Sequence, residues 1–341
     1  MGTVLIVDDS ELIRKILAEA IAGDSGLKVA GYASEEEEIF TKIKELDPDL
    51  ITIDIDMVHI DTISLINKIM DENPKPILVV SDRSKKDSFL TFKALEAGAV
   101  DFILKPADVN KESGFSTFKN SLVSRLKVAL KSTPKEIKSG QKKVIHCFKK
   151  SSKKVLLIGA STGGPSTVQK LFSELPGNLP FPILVVQHMP QGFTKSFSER
   201  LNNKTDFLVK EAEEGEVLKD NVAYVCPADY HMNLIERRGG HYISLNQDER
   251  VHNVRPSFDC LIESVVPLFK ERTVMVILTG MGRDGTRGAE LVRKHRGRVI
   301  AESEESCIIY GMSKSVIEKE LANTIVSLDK LAVSIIQEME K

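Results

Sequence analysis

Short apolar runs that each stop on a polar residue, separated by stretches of helical period, fill the first third of the chain. Residues 3–7, 27–33, 49–53, 76–81 and 100–104 are such runs. They are too short for helices, rich in Val and Ile, and apolar on both faces, which is the pattern of parallel strands buried inside a sheet. Between the first two, Leu12, Ile13, Ile16, Leu17, Ala20 and Ile21 share one face of a helix. A last helix is expected over about 116–130. Parallel neighbours need a crossover, and helices supply it. The expectation is α/β: an N-terminal doubly wound (βα)5 domain whose ligands bind at the carboxyl ends of its strands.

From 131 to 154 the periodicity fails, and Lys131, Lys135, Lys138, Lys142, Lys143, Lys149, Lys150, Lys153 and Lys154 are opposed only by Glu136. Basic runs that grip nucleic acid interleave aromatics; this one has few, so it reads as a solvated linker. A second alternation follows. Strands are expected at 155–159, 183–187, 222–226, 232–236, 242–245, 274–279 and 298–301, and helices near 166–175, 194–201, 257–269 and 331–339. The strands between 222 and 245 have no helices between them, so an antiparallel hairpin is expected on a second doubly wound, mostly parallel α/β domain. The organisation is therefore 1–125, a linker over 126–153, and 154–341, in keeping with 341 residues at about 150 per domain.

A net charge of -2 gives no general pull on nucleic acid, and no apolar run approaches the length of a membrane span. With no basic leader at the N-terminus, a cytoplasmic location without membrane insertion is expected. Cys147, Cys226, Cys260 and Cys307 lack a C-x-x-C spacing, so they read as packing residues, Cys147 as a linker thiol.

Asp8 and Asp9 follow the first run, Asp54 the third; Ser81 ends the fourth and Lys105 follows the fifth. All converge on one sheet edge. Three crowded carboxylates suit a hard divalent cation, which relieves their repulsion and holds a phosphoryl group beside Asp54. A lysine and a hydroxyl then neutralise and hydrogen-bond its oxygens. Helix capping explains any one acid, Asp8-Asp9-Ser10 especially, but not all five positions at one edge. With Ala97-Gly-Ala-Val-Asp-Phe102 leading into Leu104-Lys105-Pro106, the set resembles the receiver domain of two-component response regulators. The resemblance implies Asp54 as phospho-acceptor and a histidine kinase as phosphodonor. It makes Asp9 and Asp54 magnesium ligands, with Asp8 acting through water and Asp56 through its carbonyl. Ser81 and Lys105 bind the phosphoryl group, and Phe102 is a rotating switch. Val58 and Thr62 stand where that family usually has Pro and Gly; neither departure removes a ligand.

The second domain opens Val155-Leu-Leu-Ile-Gly-Ala-Ser161-Thr-Gly-Gly164-Pro165, a strand running through glycines into a helix. Residues 159–163 fit G-x-S-x-G, which exposes a serine hydroxyl at the sheet edge. A dinucleotide-binding loop also uses glycines here, but its spacing differs and the next strand ends in Gln187-His188 instead of an acid for ribose. His188 thus falls on the edge occupied by Ser161. Thr279-Gly-Met-Gly-Arg-Asp284-Gly285 brings an acid to the same edge, where it orients the imidazole or, alternatively, caps the helix before Thr286. With Arg255-Pro-Ser-Phe-Asp259 and Gly311-Met312 in order, these segments resemble the catalytic domain of the chemotaxis protein-glutamate methylesterases, the CheB family. The resemblance implies a Ser161, His188, Asp284 triad with Thr162 and Met281 shaping the oxyanion pocket, and no cofactor for the ester step. It further implies methyl-accepting chemoreceptors as substrate, a second glutaminase activity, and inhibition by the unphosphorylated receiver. A non-catalytic, receiver-controlled receptor-binding module is the alternative that intact triad residues oppose.

Overall fold

A computed structural model describes residues 1–82, 84–106, 112–132, 144, 146, 148 and 153–341. Most of the basic stretch, Cys147 included, lies outside the described residues. The chain divides into two compact units, Met1–Ile137 and Lys138–Lys341.

The first unit alternates β1 (Gly2–Val7), α1 (Glu11–Ala22), β2 (Leu27–Ala33), α2 (Glu36–Leu46), β3 (Leu50–Asp54), α3 (Thr62–Glu72), β4 (Ile77–Ser81), α4 (Lys85–Glu96), β5 (Asp101–Leu104) and α5 (Glu112–Ala129). Its sheet runs β2-β1-β3-β4-β5, every pair parallel. The chain steps from β1 outward to β2 and then back past β1 to β3. That reversal opens a crevice at the carboxyl ends of β1 and β3, which is where Asp8, Asp9 and Asp54 stand. β3 and β4 are buried throughout, whereas β2, an edge strand, leaves Lys28 and Tyr32 exposed and so departs from the both-faces-buried expectation. In α1, Ser10 caps the start by accepting from Ile13 N, and Ile16, Leu17, Ala20 and Ile21 point inward as the period requires. α5 continues to Ala129 with Leu122, Leu126 and Ala129 buried, so it ends beside the expected end near 130 and begins a turn earlier than 116. At the other end of the expected linker, Val144 N–H donates to Glu174 O and Phe148 meets Phe181 edge-on at 5.5 Å, within the second unit.

The second unit comprises β6 (Val155–Ala160), α6 (Gly164–Glu174), β7 (Ile183–Gln187), α7 (Phe193–Asn202), β8 (Leu208–Glu211), β9 (Val222–Val225), β10 (His231–Arg237), β11 (Gly240–Asn246), α8 (Phe258–Phe269), β12 (Thr273–Ile277), α9 (Thr286–Lys294), β13 (Arg298–Glu302), α10 (Met312–Glu318), β14 (Thr324–Val326) and α11 (Leu328–Glu340). The main sheet, β14-β13-β12-β6-β7-β9-β8, is parallel throughout, and β10 with β11 forms the antiparallel hairpin as a separate ribbon. β9, grouped with that hairpin by sequence, belongs to the main sheet. β8 and β14 were not expected, because these outermost strands are short and only partly covered. Phe258, Leu261, Ile262, Val265 and Val266 of α8 pack with Met275 and Ile277 of β12 in the core. From β6 the chain moves one way to β7 and later returns to β12 on the other side, so the crevice of this sheet lies between β6 and β12.

Cys226, Cys260 and Cys307 are free, and burial pushes all three thiols up. They behave as packing residues. No helix among the described residues is long and apolar enough to cross a membrane.

Candidate active site

β6 ends at Ala160 and the chain turns at Ser161 before α6 begins. The turn depends on Gly163, whose φ of +77° is left-handed and whose absent Cβ would lie 2.7 Å from Cβ of Ile308. Gly280, after β12, approaches as closely: a Cβ there would sit 2.7 Å from that of Ser161. Ser161 N–H donates to Thr279 O at 3.0 Å, and Gly164 N–H to Ser161 O at 2.8 Å.

β6 and β7 pair Ala160 with Gln187, so Ser161 and His188 leave neighbouring strands side by side. His188 N–H donates to Ala160 O at 3.0 Å. Its ring Nε2 lies 2.9 Å from Oδ2 of Asp284, a carboxylate that is 2% exposed. Asp284 is met by three further donors: Phe258 N–H at 2.6 Å, Asp259 N–H at 3.0 Å and Ser257 Oγ at 2.8 Å. Asp284 therefore rests on the N-terminus of α8. It does not cap α9, whose N-cap is Gly285 at φ +91°. Burial opposes the charge, but the hydrogen bond and charge of His188 and the α8 amides hold the Asp284 pKa down at about 2. An ionised carboxylate only accepts, so His188 carries its proton on Nε2 and presents the Nδ1 lone pair. Among the described residues Ser161 Oγ makes no hydrogen bond, so the structure joins His188 to Asp284 but leaves the serine–histidine bond unmade. Such bonds commonly tighten only when substrate binds. Thr162, buried, accepts from Thr279 Oγ1 at 3.0 Å, while Met281 is half exposed on the loop after β12.

The depressed pKa has a sign that can be tested. A group lowered in the folded state contributes stability fully above its ordinary value of 3.8 and loses it as pH falls toward about 2. Asp284→Asn should thus cost about 2 kcal/mol near neutral pH, and the gap in urea-unfolding free energy should narrow between about pH 4 and pH 2. A gap independent of pH would show that the charge is not what Asp284 contributes.

In the first unit, oxygens of Asp8, Asp9 and Asp54 all lie within 4.8 Å of one another. Lys105 Nζ contacts Asp54 Oδ2 at 2.9 Å; Asp8 accepts from Ser10 N–H and Asp9 from Val58 N–H, both at 2.8 Å. Burial and the neighbouring Asp54 charge push Asp8 up to about 6, and burial also raises Asp54 despite Lys105. Lys105 is desolvated too, but its bond to Asp54 holds its pKa above the usual lysine value. Among the described residues, Asp8 Oδ2 and Asp54 Oδ1 are buried with no hydrogen-bond partner. Two orphaned carboxylate oxygens facing crowded negative charge fit a divalent cation. Ser81 is buried in contact with Thr91 Oγ1 at 2.8 Å, Asp56 is exposed, and Phe102 is turned inward at 2% exposure.

The model of the CheB methylesterase family matches residues 156–335, and that of the response regulator receiver domain matches 4–112. A protein-glutamate methylesterase/protein-glutamine glutaminase of Thermotoga maritima is 38% identical over 98% of this chain and 97% of its own length. The enzyme of that name from Halalkalibacterium halodurans is also 38% identical, over 99% of this chain and 98% of its own. The chain belongs to the CheB methylesterase family. A crystal structure of the Thermotoga maritima CheB methylesterase catalytic domain superposes with a TM-score of 0.53 at 43% identity, covering 54% of this chain and 97% of that one. Ser161, His188 and Asp284 all fall inside the CheB methylesterase match, and Asp8, Asp9, Asp54, Ser81, Phe102 and Lys105 inside the receiver match.

Sequence reasoning missed what holds Asp284 in place. Ser257 followed by an apolar period marks a helix start, and Ser257 does cap α8. Nothing in the spacing says that this helix start would receive a carboxylate from a loop 27 residues away.

Proposed function

We propose that this protein hydrolyses glutamate methyl esters on methyl-accepting chemoreceptors, and the γ-amides of selected glutamines there, under control of phosphorylation at Asp54. The observation that carries the reading is the 2.9 Å pairing of His188 with a nearly buried Asp284, beside a serine turn at the switch point of the sheet. The names and full-length similarity of the relatives support the substrate.

In this mechanism His188 Nδ1 takes the proton of Ser161 Oγ as the oxygen attacks the γ-carbonyl. Asp284, fixed as an anion, stabilises the imidazolium formed. The proton passes from His188 to the leaving methoxide, methanol departs, and a glutamyl ester remains on Ser161. Water deprotonated by the same Nδ1 attacks that ester and frees the carboxylate and the serine. Backbone amides of the Gly-rich turn after Ser161 stabilise the oxyanion, with Thr162 and Met281 shaping the pocket. An amide leaves less readily than methoxide, so glutamine hydrolysis is the slower reaction.

On the receiver, Asp9 and Asp54 would hold Mg2+ directly, Asp8 through water and Asp56 through its carbonyl. The ion would supply charge neutralisation at the attacking carboxylate. Ser81 and Lys105 bind the phosphoryl oxygens, and Phe102 responds to the rearrangement. A chemotaxis histidine kinase is the phosphodonor, and the site of action is cytoplasmic.

Methanol release from membranes bearing methylated receptors tests the reading; a purified protein that binds those membranes and releases none would make it a binding module. Phosphorylation should raise the rate. A tenfold rise needs a bias of only about 1.4 kcal/mol, which charge-assisted phosphoryl contacts readily supply. The fragment 154–341 should then release methanol faster than the unphosphorylated whole chain and ignore a phosphoryl mimic. Equal basal rates would replace inhibition by recruitment as the mode of control.

A further inference from the structure

The Ser161 turn sits between two strands in the order β12-β6-β7, and a buried polar side chain reaches it from each side. From the β12 side comes Thr279, with no exposed surface. Its hydroxyl donates to Thr162 O at 3.0 Å and accepts from Ile309 N–H at 2.8 Å. Its carbonyl accepts from Ser161 N–H at 3.0 Å, and its own N–H donates to the buried Glu302 carboxylate at 2.9 Å. From the β7 side comes Gln187, also buried. Its Nε2 donates to Ser161 O at 2.8 Å and to His188 O at 3.0 Å. Two carbonyls can be met only by donors, so the amide nitrogen must face them.

Together these bonds fix the amide and carbonyl of Ser161, the carbonyl of Thr162 and the carbonyl of His188. The peptide planes on both sides of the serine therefore cannot rotate without leaving buried polar groups unpaired, at a cost of about 1–3 kcal/mol each. The direction of Ser161 Oγ follows from those planes, and the Gln187 amide ties the base to the same frame. Glu302, whose other oxygen accepts from Ser306 Oγ at 3.0 Å, anchors Thr279 in turn.

We propose that Thr279 and Gln187 are positioning residues for the Ser161–His188 pair, an inference that rests on the esterase reading. Neither side chain has to touch the substrate; they hold the nucleophile turn and the base in one geometry. Misplacing a reacting atom by about 1 Å costs on the order of 10²-fold in rate. The loss should appear in kcat, because the substrate-binding surface is left in place.

Thr279→Val removes the hydroxyl at nearly constant volume, whereas Thr279→Ser keeps it. The full-length variants are compared with the unaltered protein in two assays: methanol release, giving kcat and KM, and the rate at which a fluorophosphonate labels Ser161. Thr279→Val should lower kcat and the labelling rate together by about 10²-fold with KM within about twofold, and Thr279→Ser should restore both to within a few-fold. Gln187→Met, which fills the same space without donors, carries the same expectation and the same refutation should Thr279→Val not fold. A folded Thr279→Val or Gln187→Met with unchanged kcat and labelling, while the unaltered protein is active, overturns the inference alone. An unaltered protein inert in both assays overturns the esterase reading and this inference with it.

Discussion

Ser161→Ala is expected to reduce methanol release by about 10³-fold or more while leaving thermal unfolding close to that of the unaltered protein. The first half follows from the chemistry: the nucleophile and its base act as a unit, so removing either abolishes the covalent route and leaves only what the oxyanion donors and binding contribute. The second half follows from the structure. Ser161 Oγ makes no hydrogen bond among the described residues, and the turn is held by main-chain atoms that alanine retains. His188→Ala should be about as damaging to rate but should also strand the Asp284 carboxylate, which is 2% exposed and loses the partner that most lowers its pKa. The double variant should be no worse than either single one. Comparative kinetics on receptor membranes decides this: near-normal release by folded Ser161→Ala would move the nucleophile elsewhere, and additive losses in the double variant would separate the serine from the histidine.

Asp54→Asn is expected to abolish phosphorylation of the chain by small phosphodonors such as acetyl phosphate. An acyl phosphate needs a carboxylate, and Asp54 is the one whose oxygen touches Lys105 at 2.9 Å while its other oxygen is buried without a hydrogen-bond partner among the described residues. Removing magnesium with a chelator should suppress labelling of the unaltered protein without reducing its basal ester hydrolysis, since the proposed triad uses no metal. Labelling followed by mass spectrometry reads both effects. Phosphate retained on Asp54→Asn would assign the acceptor to another residue, and ester hydrolysis lost on chelation would tie a cation to the second unit. The amide also loses the ion pair with Lys105, but it removes a carboxylate that burial already disfavours in its charged form, so stability should change little compared with labelling.

The two sheets were legible because buried parallel strands leave continuous Val- and Ile-rich runs, and 183–187 matches β7 residue for residue. β8 and β14 were not, since an outer strand covered on one side needs no such run. The last helix of the first unit was legible as well, because Leu122, Leu126 and Ala129 keep the apolar period up to the basic stretch, and α5 ends at Ala129 beside the expected end near 130. In the site, residues at strand ends were predictable from position alone, because parallel strands deliver their carboxyl ends to one edge.

The sequence by itself determined which chemical groups arrive at each crevice: three carboxylates and a lysine at one, a serine, a histidine and an acid at the other. It did so through period and punctuation, which are local. Only the tertiary structure decided how those groups are held and in what protonation state, because this depends on partners brought together across the chain. Asp284 could equally have capped α9; the fold instead sets it against the amides of Phe258 and Asp259 and the hydroxyl of Ser257, and keeps it ionised. Nε2 of His188 is thereby committed to Asp284, leaving Nδ1 as the basic atom. The same holds for the frame of Thr279 and Gln187, whose hydrogen bonds join three strands that no local pattern relates. Hydrogen bonding and desolvation act over a few ångströms in space, and distance in space is what a one-dimensional pattern does not carry.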